Sequence, residues 1–143
     1  MRCLGMDLGT KTLGLALSDK MGLIASPYQT LRFQNHEELL EKIKKIVEEK
    51  EIGTFVLGYP KNMNNSLGFA VERTMQFKQV LENVFDIPIV LIDERLSTTE
   101  AENRLIETDM KRMKRKEVID SYAAAIILDT YLKESRNENG YKK

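Results

Sequence analysis

Cysteine is almost missing from this chain of 143 residues, and Cys3 stands alone. That excludes an internal disulfide and a multi-thiolate zinc site, leaving Cys3 to be read as a buried strand residue. Histidine is as scarce. His36, the single one, falls among glutamates in the first turn of an expected helix and reads as solvated. Histidine-based nucleophilic triads and histidine-rich metal sites are thereby removed. No phosphate-binding loop of the Walker type occurs. No apolar run approaches the ~18–20 residues of a membrane span, and MRCLGMDLG lacks the charged, then apolar, then small order of a signal peptide. An excess of either charge is also absent, 22 Lys+Arg facing 22 Asp+Glu. Such balance excludes a disordered polyelectrolyte and a wholly basic nucleic-acid coat, though not a local basic patch. A reduced, soluble, cytoplasmic protein is expected.

What is present suffices for one core, since 42% of residues are hydrophobic and a chain of this length buries about two-thirds of its unfolded surface. Arg2 to Leu8 reads as a central strand, and Leu13 to Ser18 alternates, with Leu13, Leu15 and Leu17 on one face and Gly14, Ala16 and Ser18 on the other. A third run, Leu23 to Leu31, contains Pro27 and is demoted to an edge, because proline cannot donate to a ladder. Short turns join these three into an antiparallel meander. Helical spacing then begins at Leu39, Leu40, Ile43, Ile46 and Val47, with Asn35 as N-cap and Glu38 three residues on. A strand at Thr54 to Gly58 follows, then a helix marked by Phe77, Val80, Leu81, Val84 and Phe85 and entered near Asn65-Ser66. Ile87 to Ile92 is a fifth strand, Ser97 to Glu100 a capping box opening a third helix, and Val118 to Leu132 a fourth helix. Strand-helix-strand units require parallel pairing with right-handed crossovers. The prediction is a mixed α/β sheet of five strands in one domain, residues 1–134, with a flexible tail over 135–143.

In such sheets ligands sit beyond the carboxyl ends of parallel strands. Those ends carry Asp7, then Gly58-Tyr59-Pro60, then Asp93-Glu94-Arg95. Asp120 is a further acid of interest, because the positions four, seven and eleven residues on are Ala124, Ile127 and Tyr131. A carboxylate on that stripe is partly buried against the sheet and needs a partner or a cation. Cys3 and Gly5 share the parity of Asp7, and the neighbouring strand offers Gly14 and Ala16, so this face has room for a close helix or for a ligand. Gathering Asp7, Glu94 and Asp120 without counter-charge costs about 3 kcal/mol per pair at ~5 Å and an effective dielectric of ~20. Oxygen-only clusters suit magnesium or manganese, and two such ions can activate water and stabilise the leaving oxygen in phosphodiester cleavage. One dense basic run, Lys111, Arg112, Lys114, Arg115 and Lys116, reads as a solvated linker or as a contact to phosphate backbone.

Four segments together resemble the YqgF family: DLGTKTLGLALSD (Asp7 to Asp19), GYPKNMNNSLG (Gly58 to Gly68), DERLSTTEA (Asp93 to Ala101) and KEVIDSYAAAIIL (Lys116 to Leu128). The family comprises small bacterial nucleases of the ribonuclease H-like fold, described as Holliday junction resolvases or pre-16S ribosomal RNA nucleases. The resemblance implies a sheet in the order 3-2-1-4-5 with the second strand antiparallel. It also implies catalytic and metal-binding acids at Asp7, Glu94 and Asp120, with Asp93 beside them, holding two Mg2+ or Mn2+ ions. Lys11 and Arg95 match basic positions that face substrate phosphate, to which Lys114, Arg115 and Lys116 add. Thr12 stands where the family usually has Arg, and Gly-Tyr-Pro stands where related resolvases carry an acid on the fourth strand.

The function implied is a metal-dependent endonuclease maturing the 5′ end of pre-16S ribosomal RNA, as a monomer or weak homodimer away from membranes. A resolvase of four-way DNA junctions is the alternative within the same chemistry. A non-catalytic RNA-binding module is an alternative of another class, against which the complete set of acids argues. An ATPase, suggested by DLGT alone, needs two lobes around its nucleotide, and this chain has one.

Overall fold

The computed structural model describes residues 1–59, 68–93 and 115–141. Strand β1 (Arg2–Leu8) lies in the middle of a five-stranded sheet, pairing antiparallel with β2 (Thr12–Ser18) and parallel with β4 (Ile52–Tyr59). Beyond β2 comes the edge strand β3 (Ala25–Arg32), and beyond β4 the parallel strand β5 (Ile89–Asp93), giving the order β3-β2-β1-β4-β5. Helices α1 (His36–Lys50) and α2 (Phe69–Val84) belong to the crossovers, and α3 (Arg115–Tyr141) is the last element.

Alternation along the strands sends two unlike sets of side chains to the two faces. On one side Leu4, Met6, Leu8, Leu13, Leu15, Phe55 and Leu57 meet Leu39 and Ile43 of α1 and Phe77 and Leu81 of α2. On the other, Ala16, Val56 and Ile92 meet Ala124, Ile127, Leu128 and Leu132 of α3. The start of α1 follows its capping signal, with Asn35 Oδ1 accepting from the Glu38 N–H at 2.9 Å. Pro27 sits at a register shift in the β2–β3 ladder, where proline's missing donor costs little.

Three expectations need correction. β3 begins at Ala25, not Leu23, because the Asp19 carboxylate takes the N–H groups of Leu23 at 2.7 Å and Ile24 at 3.0 Å into a turn. β5 begins at Ile89, not Ile87. His36 is half-buried, its ring 6.4 Å from that of Phe33 and 5.8 Å from that of Phe77, because the helix turn lies over the core edge. The helix α3 runs to Tyr141, over part of the segment expected as a tail. Extension from an already docked helix avoids the nucleation cost that a polar segment cannot meet alone. Asn65-Ser66 and the third helix expected from Ser97 lie outside the described residues.

Candidate active site

The close approach of α3 to the sheet creates the site. Asp7 and Gly14 are direct partners across the β1–β2 ladder, so Asp7 projects on the face where Gly14 has no side chain. Into that space comes the backbone of α3. A Cβ built on Gly14 would lie 2.2 Å from the carbonyl oxygen and 2.5 Å from the carbonyl carbon of Asp120. Only glycine fits. Gly5 is covered in the same way, its hypothetical Cβ 2.8 Å from Leu128 Cβ and 2.9 Å from the Ala124 oxygen. Asp120, Ala124 and Leu128 form one stripe at spacing four, which therefore lies along the glycine-lined face of β1 and β2. The small residues of this face accommodate a close helix, and that helix carries an acid to the strand end.

Asp7 and Asp120 are both half-buried. Thr12 Oγ1 donates to Asp120 Oδ2 at 3.1 Å, tying the first residue of β2 to α3. Lys11, in the loop between β1 and β2, is exposed, as a group meeting substrate phosphate needs to be. Asp93, the last residue of β5, is exposed and pairs with Tyr59. Its neighbour Ile92 packs against α3, and strand alternation sets successive residues on opposite faces. Glu94, Arg95 and Lys114 lie outside the described residues. Arg115 and Lys116 occupy the first turn of α3. Cys3 is half-buried, and burial pushes its thiol pKa upward. Among the described residues no three acidic, histidine or cysteine side chains cluster tightly enough to hold a metal, and no helix is long and apolar enough to cross a membrane.

Sequence reasoning missed Thr12 as the partner of Asp120. The signal was its parity: Thr12 shares the face of Gly14 and Ala16, the face over which α3 packs.

A family model described as "RuvX: Holliday junction resolvase" matches residues 1–134. The chain belongs to that family. RuvX-family membership agrees with the YqgF resemblance of the four motifs. Two of the curated relatives that carry the name "Putative pre-16S rRNA nuclease" illustrate the match. One, from Geobacillus sp. (strain WCH70), is 47% identical over 92% of this chain and 97% of its own length. The other, from Desulfitobacterium hafniense (strain DSM 10664 / DCB-2), is 46% identical over 100% of this chain and 99% of its own. Among solved structures, Thermus thermophilus RuvC in complex with a Holliday junction substrate superposes with a TM-score of 0.60 at 14% identity, covering 94% of this chain and 96% of that one. The Fowlpox virus resolvase in its junction complex gives 0.56 at 10% identity, covering 94% and 98%. At those identities the likeness shows the fold: a RuvX-family chain with a resolvase-like, ribonuclease H-type sheet.

Proposed function

We propose that this chain is a metal-dependent endonuclease that hydrolyses phosphodiester bonds, with the 5′ end of precursor 16S ribosomal RNA as its substrate, in the cytoplasm. The observation that carries this reading is the delivery of Asp120 to the face and strand end of Asp7, across Gly14. Two half-buried carboxylates on one such face repel each other unless a cation or a proton intervenes. Their donors are all oxygen, which fits a hard divalent ion, magnesium or manganese, better than zinc. Asp7 and Asp120 would hold it, and Glu94, the residue directly after β5, is assigned as the third acid. Asp93, directly before Glu94, is a further candidate ligand beside these three. Two ions bound there would lower the pKa of an attacking water and stabilise the leaving oxygen. The protein's own cations, Lys11, Arg95, Lys114, Arg115 and Lys116, would bind the phosphate backbone and position it without reading sequence.

The names of the relatives at 46–47% identity support the RNA substrate, whereas the family description supports four-way DNA junctions. Symmetric cutting of a junction needs two sites in one particle, so the oligomeric state bears on the choice. End-labelled precursor ribosomal RNA and a four-way DNA junction, each incubated with magnesium or with chelator, test the reading, alongside sedimentation of the protein. Metal-dependent cuts in the RNA by a monomer or weak homodimer are expected. Paired symmetric nicks in the junction by a stable dimer would move the assignment to DNA. Tight RNA binding without cleavage of RNA or junction in magnesium would make the chain a binding module.

A further inference from the structure

We propose that Thr12 is a positioning residue for the nuclease site, and that its hydroxyl fixes the Asp120 carboxylate for metal binding instead of contacting substrate. The inference rests on the nuclease reading above and adds a residue to it.

Three observations carry it. The first is the bond itself, Thr12 Oγ1 to Asp120 Oδ2 at 3.1 Å, made between half-buried residues from opposite ends of the chain. A hydroxyl has one proton to give. Spent on Asp120, that proton is not available to a phosphate oxygen, so any influence of Thr12 on the substrate passes through the carboxylate. The second is the rigidity of Thr12. Its carbonyl accepts from the Gly9 N–H at 2.7 Å, it pairs with Arg32 of β3, and the adjacent Lys11 carbonyl accepts from the Phe33 N–H at 3.0 Å. A β-branched side chain on a backbone held from both sides has little χ1 freedom. The third is that the Asp120 backbone is itself seated on Gly14, two residues further along the same strand and face. Strand β2 thus holds Asp120 twice, by backbone contact at Gly14 and by side chain at Thr12. A carboxylate so held meets a cation without first losing its own rotational freedom, and outer partners of this kind are typically worth about 10–100-fold in metal affinity or activity.

Thr12→Val removes the donor while keeping shape and strand preference, and Thr12→Ser keeps the donor. Each purified variant and the wild type are melted across a magnesium titration, and their cleavage of precursor ribosomal RNA is measured in parallel. A positioning role predicts that Thr12→Val raises the half-saturating magnesium about 10–100-fold, lowers kcat and leaves KM for nucleic acid unchanged. Thr12→Ser should stay near wild type, and the chelator melts verify that both variants fold. Equal magnesium dependence in Thr12→Val and a responsive wild type would overturn the role of Thr12 alone. A raised KM with unchanged kcat would overturn it in favour of direct phosphate contact. A wild type with no metal response at all would sink the metal-site reading together with this one.

Discussion

The two faces of the sheet are built on opposite principles. The face under α1 and α2 is filled with large side chains: Leu4, Leu15 and Phe55 of the strands and Phe77 of α2 are 0% exposed, and burying a side chain of that kind contributes about 1.5–3 kcal/mol. Where α3 meets the sheet, the strands bring Gly5, Gly14 and Ala16 and the helix brings Ala124 and Ala125, with Asp7 and Thr12 of the strands and Asp120 of the helix at one end. Small residues bury little area each, about 0.8 kcal/mol per methylene-sized group, but they let a helix backbone come within contact of a strand. One face supplies stability through volume, and the other supplies proximity. An acid on a helix reaches a strand acid only where nothing stands between them.

The largest test of this contrast is Asp7→Asn, which keeps shape and removes charge. With magnesium, cleavage should fall below detection. In chelator the melting temperature should stay or rise, because one of the repelling charges is gone. Wild type should gain stability from magnesium by mass action, and the variant much less. A chelator melt lowered by about 1 kcal/mol, with no metal response in wild type, would make Asp7 a turn cap and no more.

Next in size is Phe55→Ala on the voluminous face, where the ring stacks edge-on to Phe85 at 5.3 Å. Denaturant melts should show a loss of about 3–5 kcal/mol, while cleavage per folded molecule is retained. Activity lost well beyond the unfolded fraction would mean that the two faces are coupled.

Gly14→Ala sharpens the comparison from the other side. Its methyl would meet backbone, not a flexible side-chain tip, so α3 must shift, at about 1–3 kcal/mol for overpacking. Because that shift moves Asp120, cleavage should fall more than the folded fraction does. A loss of activity that merely tracks stability would deny the site its dependence on the glycine.

The smallest effect belongs to Asp19, remote from both interiors. Backbone N–H groups of Ile24 and Leu23 bonded to its carboxylate hold its pKa below the usual 3.8. The charged form is thus favoured in the folded state, and its contribution is present above the unfolded pKa and lost as pH falls through the lower folded one. Asp19→Asn should lower the melting temperature slightly at neutral pH and flatten the acid limb of its pH profile, so that variant and wild type converge in acid. An unchanged acid limb would remove Asp19 from the turn's energetics.

Much of this arrangement is legible in the residues. The antiparallel meander follows from three strands joined by short turns and the order of the sheet from the family resemblance, while the cap at Asn35 and the edge position of Pro27 follow from local chemistry. The stripe Asp120, Ala124, Ile127, Tyr131 announces a half-buried acid before any coordinates. Thr12 was harder to read. Its parity with Gly14 is visible, but its donation to Asp120 depends on where α3 crosses. His36 was misread because glutamate neighbours describe its own helix turn and not Phe33 and Phe77, which come to it from elsewhere in the chain.

Periodicity, capping and chain connectivity are local or one-dimensional properties. The sequence by itself therefore determined which segments become strands and helices and which strand ends carry acids. The offset of α3 along β2 is a property of two surfaces in contact. Only the tertiary structure decided that Asp120 rests on Gly14 and that Thr12 holds its carboxylate. Distances through space depend on how closely backbones can pack, and that is settled by all the residues at an interface together.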